Sequence, residues 1–354
     1  MSVETDMPAV IAFLTRLLNT PSPTGYHVEA MALLEDALAD LGLEDLTWRR
    51  TVKGALVATL PGAGPTLPQR AIAAHVDTLG AMVREVKKNG RLLLTQIGGY
   101  AWQSVEGENV TILTEDGRRY RGTIQAVHPS VHTSGEVREA KRDDEAMEVR
   151  IDARTAKQEE TEALGIAVGD FVALDPRMEI TDTGYIKSRH LDDKAGVAAA
   201  YGALLALRAA GRQPAATCHI FMSNYEEVGH GAAVGIPPEA QELIVVDMAA
   251  STTGEHQNSD EYSVGICAKD SSGPYDLAMR RRLTGLCQAE GIPYRIDTYP
   301  HYGSDGSAYL RAGGDVRVGL IGPGVDASHG YERTHTDSLE ATIRLLTAYL
   351  LAEE

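Results

Sequence analysis

The sequence predicts an α/β protein with a three-layer helix–sheet–helix catalytic domain, whose sheet is mostly parallel, and a small inserted all-β, barrel-like domain. Helical and strand-like patterns alternate from Leu191 to the end of the chain, which is typical of a parallel sheet covered by helices. Between Met82 and Tyr185, short strand-like runs follow one another and helical patterns are few. We therefore expect a discontinuous catalytic domain at 1–82 and 185–354, interrupted by a β domain at 83–184.

The catalytic domain should open with two helices, because residues 8–43 carry an apolar face that the turn at 21–25 interrupts. Two strands should follow, at 56–60 and at 71–74, and the second leads into His75. After the insertion we expect strands at 217–222, 243–246 and 316–321. Helices are predicted between and after these strands, at 194–210, 275–289 and 339–351.

Five strands are predicted inside the insertion, at 92–97, 110–113, 120–127, 147–151 and 171–174. The turn signals Asn89-Gly90, Asp116-Gly117 and Gly169-Asp170 separate several of them. The charged stretch 136–145 is expected to be a solvated loop.

Composition excludes several classes of partner. The net charge of −17 repels phosphate backbones, so nucleic acid is not an expected partner. No apolar run reaches the ~18 residues that a membrane helix needs, and the first residues do not resemble a secretory signal. The three cysteines are widely spaced, as expected of buried thiols in a reducing compartment, so we expect a cytoplasmic protein.

Residue types that bind metals occur in four segments, each where a strand should end or a helix should begin. In chain order these are His75 with Asp77, Asp192 with Asp193, the run Glu226-Glu227 with His230, and Asp247. Because the carboxyl ends of parallel strands form the ligand crevice of an α/β sheet, these side chains should converge. A fifth segment, before the last helix, offers His329 and His335 as further imidazole ligands.

Imidazole and carboxylate ligands without thiolates suit a catalytic Zn²⁺ or Co²⁺ site and argue against a closed structural zinc site. Two ions ~3.5–4 Å apart need an anionic ligand between them, and an aspartate can give one oxygen to each. One carboxylate of Glu226-Glu227 can then bind metal while the other stays free as a base.

Taken singly, each of these residues has a simpler explanation. A lone His or Asp at a strand end commonly caps or hydrogen-bonds, and a lone Glu-Glu pair is commonly surface charge. The metal interpretation depends on all four segments occurring together. We assign His128 and His132 to structural or surface positions and His219 to a satisfied position in the core.

With the turn PSPTGY and the motifs HVDTLG, LDDKAG, NYEEVG and VVDM, the chain resembles the TET aminopeptidases over nearly its whole length. These form family 42 of the metallopeptidases, dinuclear metal-dependent enzymes also labelled glutamyl aminopeptidases or endoglucanases. The resemblance implies two divalent ions per subunit, Zn²⁺ or Co²⁺, and short peptides as substrates. It also implies a homo-oligomer, either a dimer or a dodecamer built from dimers, with the inserted domain in subunit contacts.

Carried over residue by residue, the resemblance gives each candidate a role. His75 and Asp247 would bind one ion, Glu227 and His335 the other, and Asp192 would bridge the two. Glu226 would be the general base, and Asp77 would orient the imidazole of His75.

Several positions depart from the family pattern. Thr78, His190 and Lys194 replace residues that are usual next to the ligands. The segment THTDSLE is also atypical, which leaves His329 as a rival to His335. In PHYGSDGSAY, similarity to a loop near the substrate makes Asp305 and His301 candidate substrate-binding residues.

We therefore expect hydrolysis of the N-terminal peptide bond of short peptides by a metal-activated water. One alternative is a related dinuclear amidase or deacylase that acts on N-acyl amino acids or small amides. A glycosidase, which needs paired carboxylates and no metal, is a second, and a non-catalytic protein on the same scaffold is a third. The side-chain preference, the metal used in the cell and the number of subunits are not determined by the sequence.

Overall fold

A computed structural model describes residues 4–64, 66–251 and 256–353. Seven α-helices lie in these ranges: α1 Met7–Leu18, α2 Val28–Asp40, α3 Gln158–Glu162, α4 Leu191–Ala210, α5 Leu277–Glu290, α6 Asp305–Arg311 and α7 Thr336–Leu351. None of the helices within these ranges combines the length and the apolar character needed to cross a bilayer.

The strands fall into three consecutive groups along the chain. The first group is β1 Thr47–Arg50, β2 Leu56–Leu60 and β3 Gln69–His75. The second is β4 Gly80–Val86, β5 Leu92–Ile97, β6 Asn109–Leu113, β7 Arg119–Ala126, β8 Met147–Ile151 and β9 Phe171–Leu174. The third is β10 Glu179–Ile180, β11 Tyr185–Ser188, β12 Cys218–Ser223, β13 Ala240–Val246, β14 Ala249–Ser251, β15 Val264–Asp270, β16 Gly273–Pro274, β17 Tyr294–Thr298, β18 Arg317–Asp326 and β19 Glu332–His335.

The first and third groups form one large sheet, in the order β1-β2-β12-β3-β13-β18-β19-β11-β10. Strands β14 and β15 also pair with β18, and β16 and β17 pair with β15. Its central strands β12, β3, β13 and β18 are parallel, and antiparallel pairs lie towards the edges. The predicted α/β class with a largely parallel sheet is confirmed. Because the central strands share one direction, their carboxyl ends meet at one edge of the sheet.

Both faces of the sheet are buried, as the alternation along β3 shows. Ile72 and Ala74 belong to the core beneath α1, α2, α4 and α7, whereas Ala71 and Ala73 belong to the core on the opposite face. Helix α4 lies close to its neighbours because it is rich in small residues. A Cβ at Gly202 would come within 2.8 Å of Ile343 on α7 and 3.0 Å of Val10 on α1.

The second group of strands closes into a separate six-stranded antiparallel barrel, in the order β4-β5-β8-β7-β6-β9. Its strands run from Gly80 to Leu174, whereas β10 at Glu179–Ile180 already pairs with β11 of the large sheet. The barrel has its own core, in which Val110, Ile124 and Val149 are fully buried. The predicted all-β insertion is therefore present, and its role in subunit contacts stays a prediction.

The separate barrel core gives a first prediction. Val149→Ala should lower the free energy of unfolding by about 2 kcal/mol, because two buried methyl groups worth ~0.8 kcal/mol each are lost and a cavity remains. The same change at Val168, which is 67% exposed, should cost less than about 0.5 kcal/mol. Urea unfolding of both variants measures this, and equal losses would contradict the described packing.

Candidate metal centre

The centre begins where two parallel strands of the large sheet end. His75 is the last residue of β3, and Asp247 directly follows β13, the neighbouring strand. Both side chains are buried, with 2% and 4% of the residue exposed. The residues directly before them in each strand are apolar, so these polar side chains stand where the strands leave the core.

Asp192 enters the same space from the start of α4, after a left-handed residue, His190, at φ 71°. The peptide bond between Asp192 and Asp193 is cis. Asp192 Oδ1 lies 3.1 Å from His75 Nε2, and its Oδ2 lies 3.4 Å from His329 Nε2. The carboxylate of Asp192 therefore lies between two imidazoles and gives one oxygen to each.

Hydrogen bonds orient the imidazole of His75. Its Nδ1 lies 2.9 Å from the backbone carbonyl of Asp77, which accepts from it, so Nε2 faces the centre. The Asp77 carboxylate is 3.7 Å from the same nitrogen. It accepts instead from the backbone N–H groups of Glu226, at 3.1 Å, and Glu227, at 3.3 Å, and from the Thr24 hydroxyl, at 2.7 Å. Asp77 thus supports His75 mainly through its carbonyl, and its carboxylate fixes the Glu226-Glu227 loop.

The two glutamates of that loop take different places. Glu227 Oε2 is 3.6 Å from His329 Nε2, next to the outer oxygen of Asp192. Glu226 Oε2 is 3.8 Å from His75 Nε2 and lines the adjoining cavity.

The structure corrects the expectation for His335. This residue caps α7: its Nδ1 accepts from the Asp337 N–H at 3.1 Å, and its Nε2 donates to the Thr183 carbonyl at 2.8 Å. Both ring nitrogens are therefore engaged away from the centre. His329 occupies the place beside Asp192 and Glu227, where the sequence had left it as a rival.

A carbonyl from the inserted domain orients His329. Its Nδ1 lies 2.5 Å from the backbone oxygen of Gly99, between β5 and the first short helical turn of the insertion, so Nε2 faces Asp192. His329 has a positive φ of 63°.

Sequence reasoning missed Glu332. This buried carboxylate accepts the backbone N–H of Asp192 at 3.1 Å with one oxygen and that of His329 at 3.0 Å with the other. It fixes the α4 start and the His329 loop relative to each other. Glu332 lies three residues after His329 and three before His335, but this spacing does not identify it as a functional residue.

The ligand-type atoms form two groups that share one residue. His75, Asp192 and Asp247 make the first group, and Asp192, Glu227 and His329 make the second. Within each group the ligand atoms all lie within 4.8 Å of one another.

The electrostatics of the cluster indicate an excess of negative charge. Burial, followed by repulsion from Asp192, raises the pKa of Asp247 to about 8. Burial also raises the pKa values of Glu226 and Glu227 well above their usual range. Burial opposes a charge on His329, but its hydrogen bond to Asp192 and the attraction of Asp192 and Glu227 together outweigh burial and raise its pKa to about 10.

Asp192 stays ionised within this cluster. Burial alone would raise its pKa, but hydrogen bonds with His329 and His75 outweigh burial and hold the pKa below its usual range. Packed carboxylates of this kind repel one another unless a cation lies between them. The donor set, imidazole nitrogens with carboxylate oxygens and no thiolate, fits a divalent ion of the Zn²⁺ or Co²⁺ type.

A cavity of about 410 Å³ opens beside the cluster. Its walls include Asp192, Glu226, Glu227, Asp247 and His329 on one side, and His301, Tyr302, Ser304 and Arg311 on the other. Tyr302 and Arg311 were not predicted from the sequence.

The two candidate substrate residues fall in different places. His301 lines the cavity and is exposed. Asp305 does not line it, because its buried carboxylate accepts the N–H of Ala232 at 2.6 Å and the hydroxyl of Ser223. Asp305 therefore fixes the loop after Glu227 through its hydrogen bond to Ala232, and we do not assign it to substrate contact.

Other residues near the motifs have structural partners. His190 Nε2 lies 3.2 Å from the Leu174 carbonyl, and Lys194 Nζ donates to the carbonyls of Leu17 and Thr20 at 3.0 and 2.7 Å. Lys194 thus fastens α4 to the end of α1. His219 lies between Thr59 and Gln69, with both ring nitrogens in hydrogen bonds, as expected for a core histidine.

This chain is similar to known proteins over nearly its whole length. A sequence model of the family described as M42 glutamyl aminopeptidase matches residues 54–345. "Putative aminopeptidase YhfE" of Bacillus subtilis (strain 168) is 46% identical over 346 residues, which is 98% of each chain.

Two solved structures share the fold. The TET aminopeptidase from Thaumarchaeota archaeon SCGC AB-539-E09 has a TM-score of 0.87 and 18% identity, covering 97% of this chain and 96% of that one. The Pyrococcus horikoshii TET1 peptidase, which can assemble into a tetrahedron or a large octahedral shell, has a TM-score of 0.82 and 20% identity, covering 97% and 99%. With the family match over most of its length, the chain belongs to the M42 glutamyl aminopeptidase family and is a metal-dependent aminopeptidase.

Proposed function

We propose that this aminopeptidase removes the first residue of short peptides with a pair of divalent ions, and that Glu226 is its general base. One observation supports the pair above all others: Asp192 belongs to both ligand groups and directs a different oxygen into each. His75 and Asp247 would hold one ion, and Glu227 and His329 the other.

Zn²⁺ or Co²⁺ bound there would polarise the scissile carbonyl and make a water molecule nucleophilic at neutral pH. The protein's own contribution is to hold the donors. Asp77 fixes the imidazole of His75 through its carbonyl, Gly99 fixes that of His329, and Glu332 holds the two backbone segments that carry Asp192 and His329.

Glu226 suits the proton-transfer role by its position and its environment. It belongs to neither ligand group, it lines the cavity, and its carboxylate lies within 3.8 Å of the His75 imidazole. Burial raises its pKa well above the usual range, so the carboxylate can accept a proton near neutral pH. Glu226 would take a proton from the attacking water and deliver it to the departing amine.

The cavity favours a substrate with a free amino terminus. A free amine has a nitrogen lone pair that can bind a divalent ion held by the two ligand groups, whereas the nitrogen of an N-acyl group does not offer one. This is the difference from the alternative amidase or deacylase, which would require N-acyl substrates.

The proposal extends to assembly. The TET1 peptidase of Pyrococcus horikoshii can assemble into large shells, and the barrel of this chain is a separate body on the catalytic domain. We expect a homo-oligomer in which the barrel takes part in subunit contacts. Light scattering on the purified chain separates a dimer from a dodecamer, and a monomer would contradict this expectation.

The base assignment gives the next prediction. Glu226→Gln should retain the metal ions and lower kcat by ~10²–10⁴-fold, because the amide cannot accept a proton. Elemental analysis and hydrolysis of an aminoacyl chromogenic substrate measure the two effects. Glu136 is exposed, in a short helical turn of the inserted domain, so Glu136→Gln is the matched control and should behave as wild type.

An active Glu226→Gln enzyme would contradict the assignment. Preference of the wild-type enzyme for N-acetylated over free-amine peptides would favour the deacylase instead.

His329 and His335 give a paired test. His329→Ala should lower the metal content by about one ion per chain and abolish most activity, because the second group loses its imidazole. His335→Ala should keep both ions and lose only about 0.5–2 kcal/mol of stability, because it removes a helix cap. Metal analysis together with thermal unfolding distinguishes the two variants. Loss of metal from His335→Ala but not from His329→Ala would instead support His335 as the ligand, as the sequence resemblance implied.

A further inference from the structure

A second polar cavity lies at the opposite end of the strands that lead to the metal centre. It has a volume of about 370 Å³, and Arg70, Arg282 and Arg317 line it together with Glu242. Arg70 is near the start of β3, Glu242 near the start of β13, and Arg317 begins β18. The cavity therefore collects side chains from the amino ends of three neighbouring parallel strands.

This cavity is separate from the metal centre. His75 is five residues after Arg70 along β3, and at ~3.3 Å per residue the two ends are roughly 16 Å apart. The core of the sheet fills the space between, so a ligand in this cavity does not contact the peptide substrate.

Glu242 is the buried carboxylate of the cavity, and its oxygens are already engaged. Arg282 Nη1 donates to both of them, at 3.0 and 2.8 Å, and the Tyr349 hydroxyl donates to one at 2.9 Å. Arg70 Nε lies 3.4 Å from the same oxygen. Glu242 therefore has little capacity left to neutralise another cation.

Positive charge remains uncompensated around it. The guanidinium carbons of Arg70 and Arg282 lie 4.9 and 5.0 Å from the centre of the Tyr349 ring. Arg70 Nε and Arg282 Nε and Nη2 are buried without a hydrogen-bond partner in the described chain. Within residues 4–64, 66–251 and 256–353, Arg317 makes no side-chain hydrogen bond or ion pair.

The remaining lining residues do not cancel this charge. Glu353 adds one carboxylate, so the three guanidinium groups still exceed the acidic groups of the cavity by one. This excess is notable in a chain with a net charge of −17. Met279 and Leu67 provide an apolar wall opposite the charged groups, on which a small carbon skeleton can pack.

We propose that this cavity is a binding site for a small oxyanion, of the class of phosphate and small organic phosphates, with Arg317 as its principal donor. Guanidinium groups give paired N–H donors that match the oxygens of a tetrahedral anion. Such an anion would accept hydrogen bonds from the exposed guanidinium of Arg317, which has no partner among the described residues, and it would offset the excess positive charge of the cavity. Because Arg317 is exposed and Arg282 is partly buried, the anion can enter from the solvent.

Inorganic phosphate is the probe for this site. The metal-loaded enzyme is titrated with phosphate at constant ionic strength, and binding is followed by calorimetry and by the shift in Tm. Wild type and the matched control Arg16→Gln, an exposed arginine on α1, should bind phosphate saturably. Arg317→Gln should bind it about tenfold or more weakly, because a charge-assisted hydrogen bond is lost.

Peptide hydrolysis provides the second readout. Phosphate at this cavity should leave KM for a peptide substrate unchanged in all three proteins, since the site is remote from the substrate. Absence of saturable binding would overturn the proposal. So would equal affinity in Arg317→Gln and Arg16→Gln, because phosphate would then occupy the metal centre or another surface.

Discussion

The position of one carboxylate determines the rest of the metal centre. Asp192 is buried between two imidazoles and directs a separate oxygen towards each, so that the two ligand groups have this residue in common. A buried carboxylate cluster of this kind is unfavourable unless cations compensate it. The fold supplies the constraint that makes it possible: β3 and β13 end side by side, and α4 begins opposite them.

The inserted domain helps to position a candidate ligand of the metal centre. The Gly99 carbonyl orients His329, and Ser104 and Glu108 accept from Arg189, which also donates to the Gly330 carbonyl beside His329. The loop that carries the second imidazole is thus held by hydrogen bonds to the insertion on one side and to Glu332 on the other. A change in the barrel can therefore alter the metal centre without touching a ligand.

Much of this architecture was predictable from the sequence because the signals are local. The apolar run before His75 and the sharp change to polar residues after it show where β3 ends, and the same holds for Asp247 after β13. The short helix α6 was missed because seven residues give too little periodicity to recognise.

The choice between His329 and His335 was not predictable for a different reason. His329 lies in the loop before β19 and His335 ends that strand, and their partners Gly99 and Thr183 are more than a hundred residues away in the chain. Asp305 shows the same limit. Its motif indicated a residue near the substrate, but its hydrogen bonds to Ala232 and Ser223 turn the carboxylate towards the loop that it supports.

Parallel strands give the molecule two chemically opposite ends. At the carboxyl ends, acidic residues exceed imidazoles and the site requires cations. At the amino ends, arginines exceed the acidic partners Glu242 and Glu353, which is the basis of the proposed anion site. Each strand of the central sheet spans the core once, so a residue at its start and one at its end belong to different sites although they are only a few positions apart, as Arg70 and His75 are. The apolar centre of the sheet separates the acidic cluster from the arginine cluster, because no charged side chain of β3 lies between Arg70 and His75. Opposite charges can therefore be concentrated in one domain without neutralising each other.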